Sequence, residues 1–231
     1  MELLSFGDTG WGDELLRATF MTLLVAIVAF LFGFLVSFLI VPLKLSNKKI
    51  LKYLGNTYTT IFRGVPELLV IYLLFFGGSS AVMFVAKIFG YKEFIEINAF
   101  LTGSVSIGLI SGAYTTEVLR GAIESINKGQ FDGAKSLGLK KTTYYVFVIA
   151  PQVLRLSLPN LSNVWQLTLK DTALISVTGL VEIMRQTRIA SNVEHSPLTF
   201  LITAAFLYLF LTTFSGKFFK VLEINYSKGY S

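Results

Sequence analysis

Five apolar stretches separated by polar, mostly basic segments set the pattern of the chain: residues 20–41, 66–86, 99–119, 154–181 and 200–219. An α-helix needs about 20 largely apolar residues to cross the hydrocarbon core of a bilayer, and irregular backbone cannot face lipid because its polar groups would go unpaired. The first and last stretches are almost unbroken. The second carries Pro66 near its start and Gly77-Gly78 inside, the third is more polar and rich in small residues, and the fourth is interrupted by Pro159, Asn160, Asn163, Lys170 and Asp171. The pattern predicts an all-α integral membrane protein of about five transmembrane helices. With no internal repeat, low-complexity tract or soluble segment, residues 1–231 are expected to form one membrane domain.

Composition agrees: 53% of residues are hydrophobic and 15% charged, against about 25% charged in an ordinary soluble domain. The net charge of +6 does not point to nucleic acid, because the basic residues are scattered between apolar runs. Their distribution fits topology instead, since cytoplasmic loops carry the Lys/Arg excess. Lys44, Lys48, Lys49, Lys52 and Arg63 follow the first stretch; Arg120, Lys128, Lys135, Lys140 and Lys141 follow the third; Lys217, Lys220 and Lys228 lie in the tail. Placing these inside leaves Lys87, Lys92, Arg185 and Arg188 outside, with Arg17, Arg155 and Lys170 at or within the spans, so the N-terminus is expected outside and the C-terminus inside. Trp11 and Tyr91 suit the outer interface. Glu2, Asp8, Asp13 and Glu14 precede the first basic residue, Arg17, which is unlike the basic start of a signal peptide, so the first stretch is expected to be retained. With no Cys and a single His195, neither thiol chemistry nor a metal site is expected.

Between the third and fourth stretches, residues 120–143 are too polar to span and too long for a tight turn. Phe131, Ala134 and Gly138 fall at i, i+3 and i+7, on one helical face, where small residues would let a partner surface approach. Gly129 to Ser136 nearly matches the phosphate-binding pattern of Gly, four residues, Gly-Lys-Ser, but Ala134 replaces the second glycine and a membrane helix replaces the buried strand the loop requires. Nucleotide binding by this chain is therefore not expected.

Asp132-Gly133-Ala134, three residues, Gly138, nine residues, then Val148-Ile149-Ala150-Pro151 resembles the EAA loop of permease subunits of ATP-binding-cassette (ABC) importers, whose pattern is Glu-Ala-Ala, three residues, Gly, nine residues, Ile-x-Leu-Pro. The spacing is kept, while Asp132, Gly133, Val148 and Ala150 depart in identity. Residues 58–67, 112–122 and 165–174 also resemble blocks of the polar amino-acid permeases, most similarly those for histidine, lysine, arginine and ornithine and for opines. The resemblance implies a type I ABC importer permease fold in a bacterial cytoplasmic membrane. It implies a coupling helix that seats Gln130, Asp132, Gly133, Ala134 and Gly138 in a cleft of a separate ATPase, which binds the ATP. Further implied partners are a second permease, similar or identical, and an extracytoplasmic amino-acid-binding protein; no enzymatic activity or cofactor of its own is implied.

Ionisable residues in a span cost about 2.5–3.5 kcal/mol or more at the bilayer centre and usually face a cavity or pair. Lys170 and Asp171 are adjacent and do not share a face, so each either lines the path or ties the fourth span to a neighbour. Asn160, Asn163 and Gln166 fit hydrogen bonding between helices and substrate contact equally. Glu67 and Glu117 lie near cytoplasmic span ends within four residues of Arg63 and Arg120, as ion pairs or as parts of an inner gate. A self-contained secondary transporter or channel is the rival reading, disfavoured because such proteins often contain paired repeats. An intramembrane enzyme would want a nucleophile with a base or a metal cluster.

Overall fold

The computed structural model describes residues 2–7, 10–90 and 98–227, and among these the regular structure is helical. Asp8, Tyr91, Lys92 and Lys228, which entered the charge and interface reading, lie outside the described residues. The helices are α1 (Gly12–Lys44), α2 (Lys49–Gly64), α3 (Glu67–Tyr72), α4 (Gly78–Ile88), α5 (Ala99–Glu124), α6 (Lys128–Ser136), α7 (Lys141–Tyr144), α8 (Ala150–Asp171), α9 (Ile183–Glu194) and α10 (Pro197–Ser227). A π-helical turn, Leu73–Gly77, carries α3 into α4 without leaving helical dihedrals, and a second, Tyr145–Ile149, carries α7 into α8. Three of these units are long and apolar enough to cross a membrane: Gly12–Lys44, Glu67–Phe84 and Pro197–Tyr226. Helices α5 and α8 are also long but carry more polar residues.

α5 is the hub, touching α1 along most of its length and also α2, α3 and α8. The close seam with α1 comes from small residues. Ala29 and Gly33 of α1 face Gly108, Ser111 and Gly112 of α5, and a Cβ placed on Gly33 would lie 2.2 Å from Ser111 Oγ and 2.7 Å from the Gly108 carbonyl oxygen. Between membrane helices there is no hydrophobic drive to associate, so backbone proximity and van der Waals packing must supply the attachment. The other side of α1 is Leu16, Phe20, Leu24, Ile27, Leu31, Leu35 and Phe38, all exposed.

One expected stretch changes. The fourth stretch begins earlier and stops sooner than residues 154–181. Its helix ends at Asp171 and tightens into a 3₁₀ segment, Thr172–Thr178, closed by Gly179 at φ 99°. The β-branched residues Thr172, Ile175, Val177 and Thr178 pack poorly in an α-helix, and the Thr172 and Thr178 hydroxyls donate to carbonyls three residues back. The second stretch begins at Pro66, as expected: Val65 and Pro66 are extended, as the residue before proline favours, so α2 and α3 are separate helices.

Candidate coupling and translocation sites

α6 starts where Asn127 accepts the Gly129 N–H at 2.8 Å. It stops in a paired C-terminal motif, with Gly138 N–H donating to the Lys135 carbonyl at 2.9 Å and Leu139 N–H to the Ala134 carbonyl at 3.1 Å. That motif requires a left-handed residue, and Gly138 supplies it at φ 66°. Gly138 therefore lies past the helix end, not on a face with Phe131 and Ala134 as the i, i+7 spacing predicts; its value is conformational. Ala134 is buried against Ile126, Tyr144 and Ile149, with Phe131, Val148 and Val153 at the edge. The small-residue face thus points into the chain itself. What α6 offers outward is Gln130, Asp132, Gly133, Lys135 and, after it, Leu137, all exposed. The nine-residue gap before Val148 has a physical reason here: it returns the chain so that Val148 and Ile149 form the floor under Phe131 and Ala134.

The second group lies on α8. At about 100° per residue, Asn160, Asn163, Gln166, Lys170 and Asp171 fall within an arc of about 140°. Asn160, Asn163 and Lys170 are exposed, while Gln166 and Asp171 are half-buried. The exposed Asn160, Asn163 and Lys170 are not the glue that fastens α8 to its own neighbours, while Gln166 lies beside Gly216 of α10; α8 packs on α5 and α10 through Leu158, Leu161, Val164, Trp165 and Leu169. Glu67, at the start of α3, lies near enough to Asp171 for the two like charges to interact, with Lys170 also in range. Among the described residues neither carboxylate has a hydrogen bond or an ion pair with another side chain.

Glu117 is built the opposite way. Lys44, its side chain 7% exposed, donates to Glu117 and to Thr59 Oγ1 at 2.7 Å. Arg120 reaches Glu117 at 2.9 Å and Glu124 at 2.5 Å, and Arg63 stands 3.9 Å from Glu117. The Glu117–Arg120 pair expected from spacing is present. Glu67 and Arg63 do not pair, because the break at Val65-Pro66 removes the shared helix; the Arg63 guanidinium lies 5.3 Å from the centre of the Tyr114 ring instead. Nothing in the sequence separates Lys44 from the other basic residues that follow the first stretch.

A third polar knot escaped sequence reasoning altogether. Glu182 is fully buried and accepts the Met184 and Arg185 N–H groups at 2.9 and 2.8 Å and the Tyr208 hydroxyl at 3.1 Å. Thr22 Oγ1 accepts the Ile183 N–H at 3.1 Å, and Arg185 donates to the Ser176 carbonyl at 3.2 Å. Together these tie α1, the 3₁₀ segment, α9 and α10, and so hold the C-terminal end of α8 in place. The signal available was the pattern of a helix start, an acidic residue just before a periodic run.

A bundle of apolar helices with the short, exposed helix α6 at one side and a polar arc on α8 defines a multi-pass membrane protein of the permease class. The chain belongs to the binding-protein-dependent transport system inner membrane components, whose family model matches residues 29–223. It is 43% identical over 228 residues to the octopine transport system permease protein OccQ of Agrobacterium tumefaciens, covering 99% of this chain and 96% of that one. The nopaline transport system permease protein NocQ of Agrobacterium fabrum is 46% identical, with 96% and 95% covered. The histidine/lysine/arginine/ornithine transport system permease protein HisQ of Escherichia coli is 32% identical, with 95% and 96% covered. The crystal structure of an amino acid ABC transporter superposes with a TM-score of 0.78 at 28% identity over 93% of this chain and 95% of that one. The MetNI methionine transporter in an inward-facing form shares the fold, with a TM-score of 0.66 at 16% identity over 90% and 95%. The chain is thus a non-catalytic permease subunit of an ABC importer.

Proposed function

We propose that this chain, as one membrane domain, pairs with a second permease, similar or identical, to carry a basic or opine-like amino acid into the cytoplasm. Two cytoplasmic ATPase subunits bind the ATP, and an extracytoplasmic binding protein delivers the substrate. Five spans, α1, α3 with α4, α5, α8 and α10, run between an outer N-terminus and an inner C-terminus. Thirteen basic residues on the inner segments, against four outside, support this orientation. α6 is the coupling helix, and its exposed Gln130, Asp132 and Gly133 meet the ATPase, while Ala134 and Gly138 hold its position and its end.

The observation that carries the substrate reading is the pair of unpartnered carboxylates, Glu67 and Asp171, beside the polar arc of Asn160, Asn163, Gln166 and Lys170. Two like charges left together inside an apolar bundle are stabilised by a cation, and a guanidinium or ammonium side chain is such a cation. Lys170 offers a complementary donor to a substrate carboxylate. Glu117, already saturated by cations, acts as part of the inner gate. The opine and basic amino-acid systems named for the relatives agree with this class of cargo. A conformational change of the pair follows ATP only if substrate or binding protein favours one state over the other.

The test is reconstitution of the permease with candidate ATPase and binding proteins in vesicles. Uptake of arginine or octopine that requires ATP on the ATPase side is expected. Uptake driven by an ion gradient without ATP would sink the proposal in favour of a secondary transporter.

A further inference from the structure

Transport leaves one large feature on the cytoplasmic half of the bundle unused. A groove of about 610 Å³ runs between the last turns of α1 at Phe34 and Phe38, the end of α5 at Leu119, and the entry to α8 at Tyr145, Val146 and Val153. From Phe34 to Pro42 it follows α1 for about 12 Å. Its lining is apolar almost throughout.

The character of its rim says which medium it faces. Interfaces between membrane helices are rich in small residues that let backbones approach, and the small residues Ala29 and Gly33 of α1 lie on the α5 seam while Ala26 packs against α8 and α10. The groove side of α1 and α8 presents bulky residues instead, with Phe38, Val146 and Phe147 exposed. Bulky, flexible apolar surface of that kind suits acyl chains better than a second permease.

Charge gives the rest. The helix that starts at Lys141 runs through the π-turn into α8, so Lys141 lies four residues before the groove residue Tyr145 and on the same face. Side chains on a helix lean toward its N-terminus, which here is the cytoplasmic side. Lys140 precedes it directly. Both are exposed, and among the described residues neither takes part in an ion pair.

We propose that this groove holds an acyl chain of an anionic phospholipid of the cytoplasmic leaflet, with the phosphate drawn to Lys140 and Lys141. The proposal rests on the orientation given above, which puts α6 and these lysines inside. A lipid there would fill the angle between α1 and α8 immediately behind the floor that supports α6, and so would stiffen the base of the coupling helix.

The experiment uses the assembled complex of permease and ATPase subunits, purified in mild detergent and offered equimolar phosphatidylglycerol and phosphatidylcholine. Lipid retained per complex is read by native mass spectrometry, with ATP-driven uptake by the same preparation measured after reconstitution. Phosphatidylglycerol is expected to be retained about thirtyfold over phosphatidylcholine, in keeping with about 1 kcal/mol for each of two basic residues near an anionic surface. The K140Q/K141Q double variant should bring that ratio to about one. Val146→Trp, which fills the groove from an exposed position, should lower retention of both lipids. Equal retention by the unaltered complex, or a ratio unchanged in K140Q/K141Q, overturns the lipid site. A changed number of permease subunits in Val146→Trp assigns the groove to a second copy and overturns it too. Because uptake is followed in parallel, absence of lipid preference in the unaltered complex with ATP-driven uptake intact refutes this site alone, whereas absent uptake by the unaltered complex refutes the transport reading.

Discussion

Two groups of charge stand in the same helical bundle and are composed in opposite ways. Around Glu117, opposite charges from α1 and α5 are in contact, Arg63 of α2 stands close by, and Lys44 is buried to make the fit. Around Asp171, the near charges are another carboxylate, Glu67, and the exposed Lys170 just before it in α8, and no hydrogen bond or ion pair closes the two carboxylates among the described residues. A buried ion pair is costly to break, because removing one partner strands the other. A pair of like charges has the reverse property: it is stabilised by what arrives. The first group therefore reads as part of the framework, and the second as a place for a ligand.

The largest effect is expected at the closed group. Lys44→Met should destabilise the permease by about 2–3 kcal/mol, at the low end for a broken buried pair because Arg120 still covers Glu117. A fall of about 5 °C or more in the melting temperature in detergent would register it. The double substitution Lys44→Met with Glu117→Met should recover most of that loss, and failure to do so would mean that packing, not charge, is what Lys44 supplies.

Asp171→Asn tests the open group. Uptake of a cationic amino acid should fall about 10–100-fold, the value of a hydrogen bond to a charged group, while the melting temperature stays level or rises as repulsion with Glu67 is relieved. Unchanged uptake, or a collapse in stability, would erase the contrast between the two groups.

A more modest effect belongs to α6, the proposed coupling helix. Gly138→Val forces a branched residue into a left-handed conformation at about 1–2 kcal/mol and should fray the end of α6, lowering ATP-driven uptake several-fold with membrane insertion intact. Gly138→Asn, which tolerates that conformation, should retain most of the uptake. If both behave alike, the left-handed turn is not what the position requires.

The smallest change is expected from Arg63→Ala. Its guanidinium is exposed and 3.9 Å from Glu117, an arrangement worth about 0.2–1 kcal/mol. Melting and uptake should both stay near the unaltered values; a large loss would move Arg63 into the closed framework.

Much of this was legible before any coordinates. The five apolar stretches map onto α1, α3 with α4, α5, α8 and α10, because helix formation in a lipid-compatible segment depends on local composition. The motif from Asp132 to Pro151 was visible through its spacing, and spacing survives substitution because it records how far the chain must travel to put Val148 and Ile149 beneath α6. The end of α8 was less legible: an apolar run does not reveal that Thr172 and Thr178 will turn their hydroxyls back on the helix. Nor does the i, i+4 spacing of Arg63 and Glu67 show a contact, since it assumes a helix that Pro66 interrupts.

By itself, then, the sequence determined a helical membrane protein, its apolar segments, the clustering of its basic residues between them and the place of the motif from Asp132 to Pro151. All of these are properties of a residue and its near neighbours along the chain. Only the tertiary structure decided that Lys44 meets Glu117, that Glu67 faces Asp171, that Glu182 is buried beneath Tyr208, and that Ala134 faces inward. Those facts join residues 26 to 104 positions apart, or set a helix face against a surface made elsewhere in the chain. Which charge ends beside which is settled by how closely α1 and α5 pack through their glycines, a matter of shape in three dimensions that no local pattern encodes.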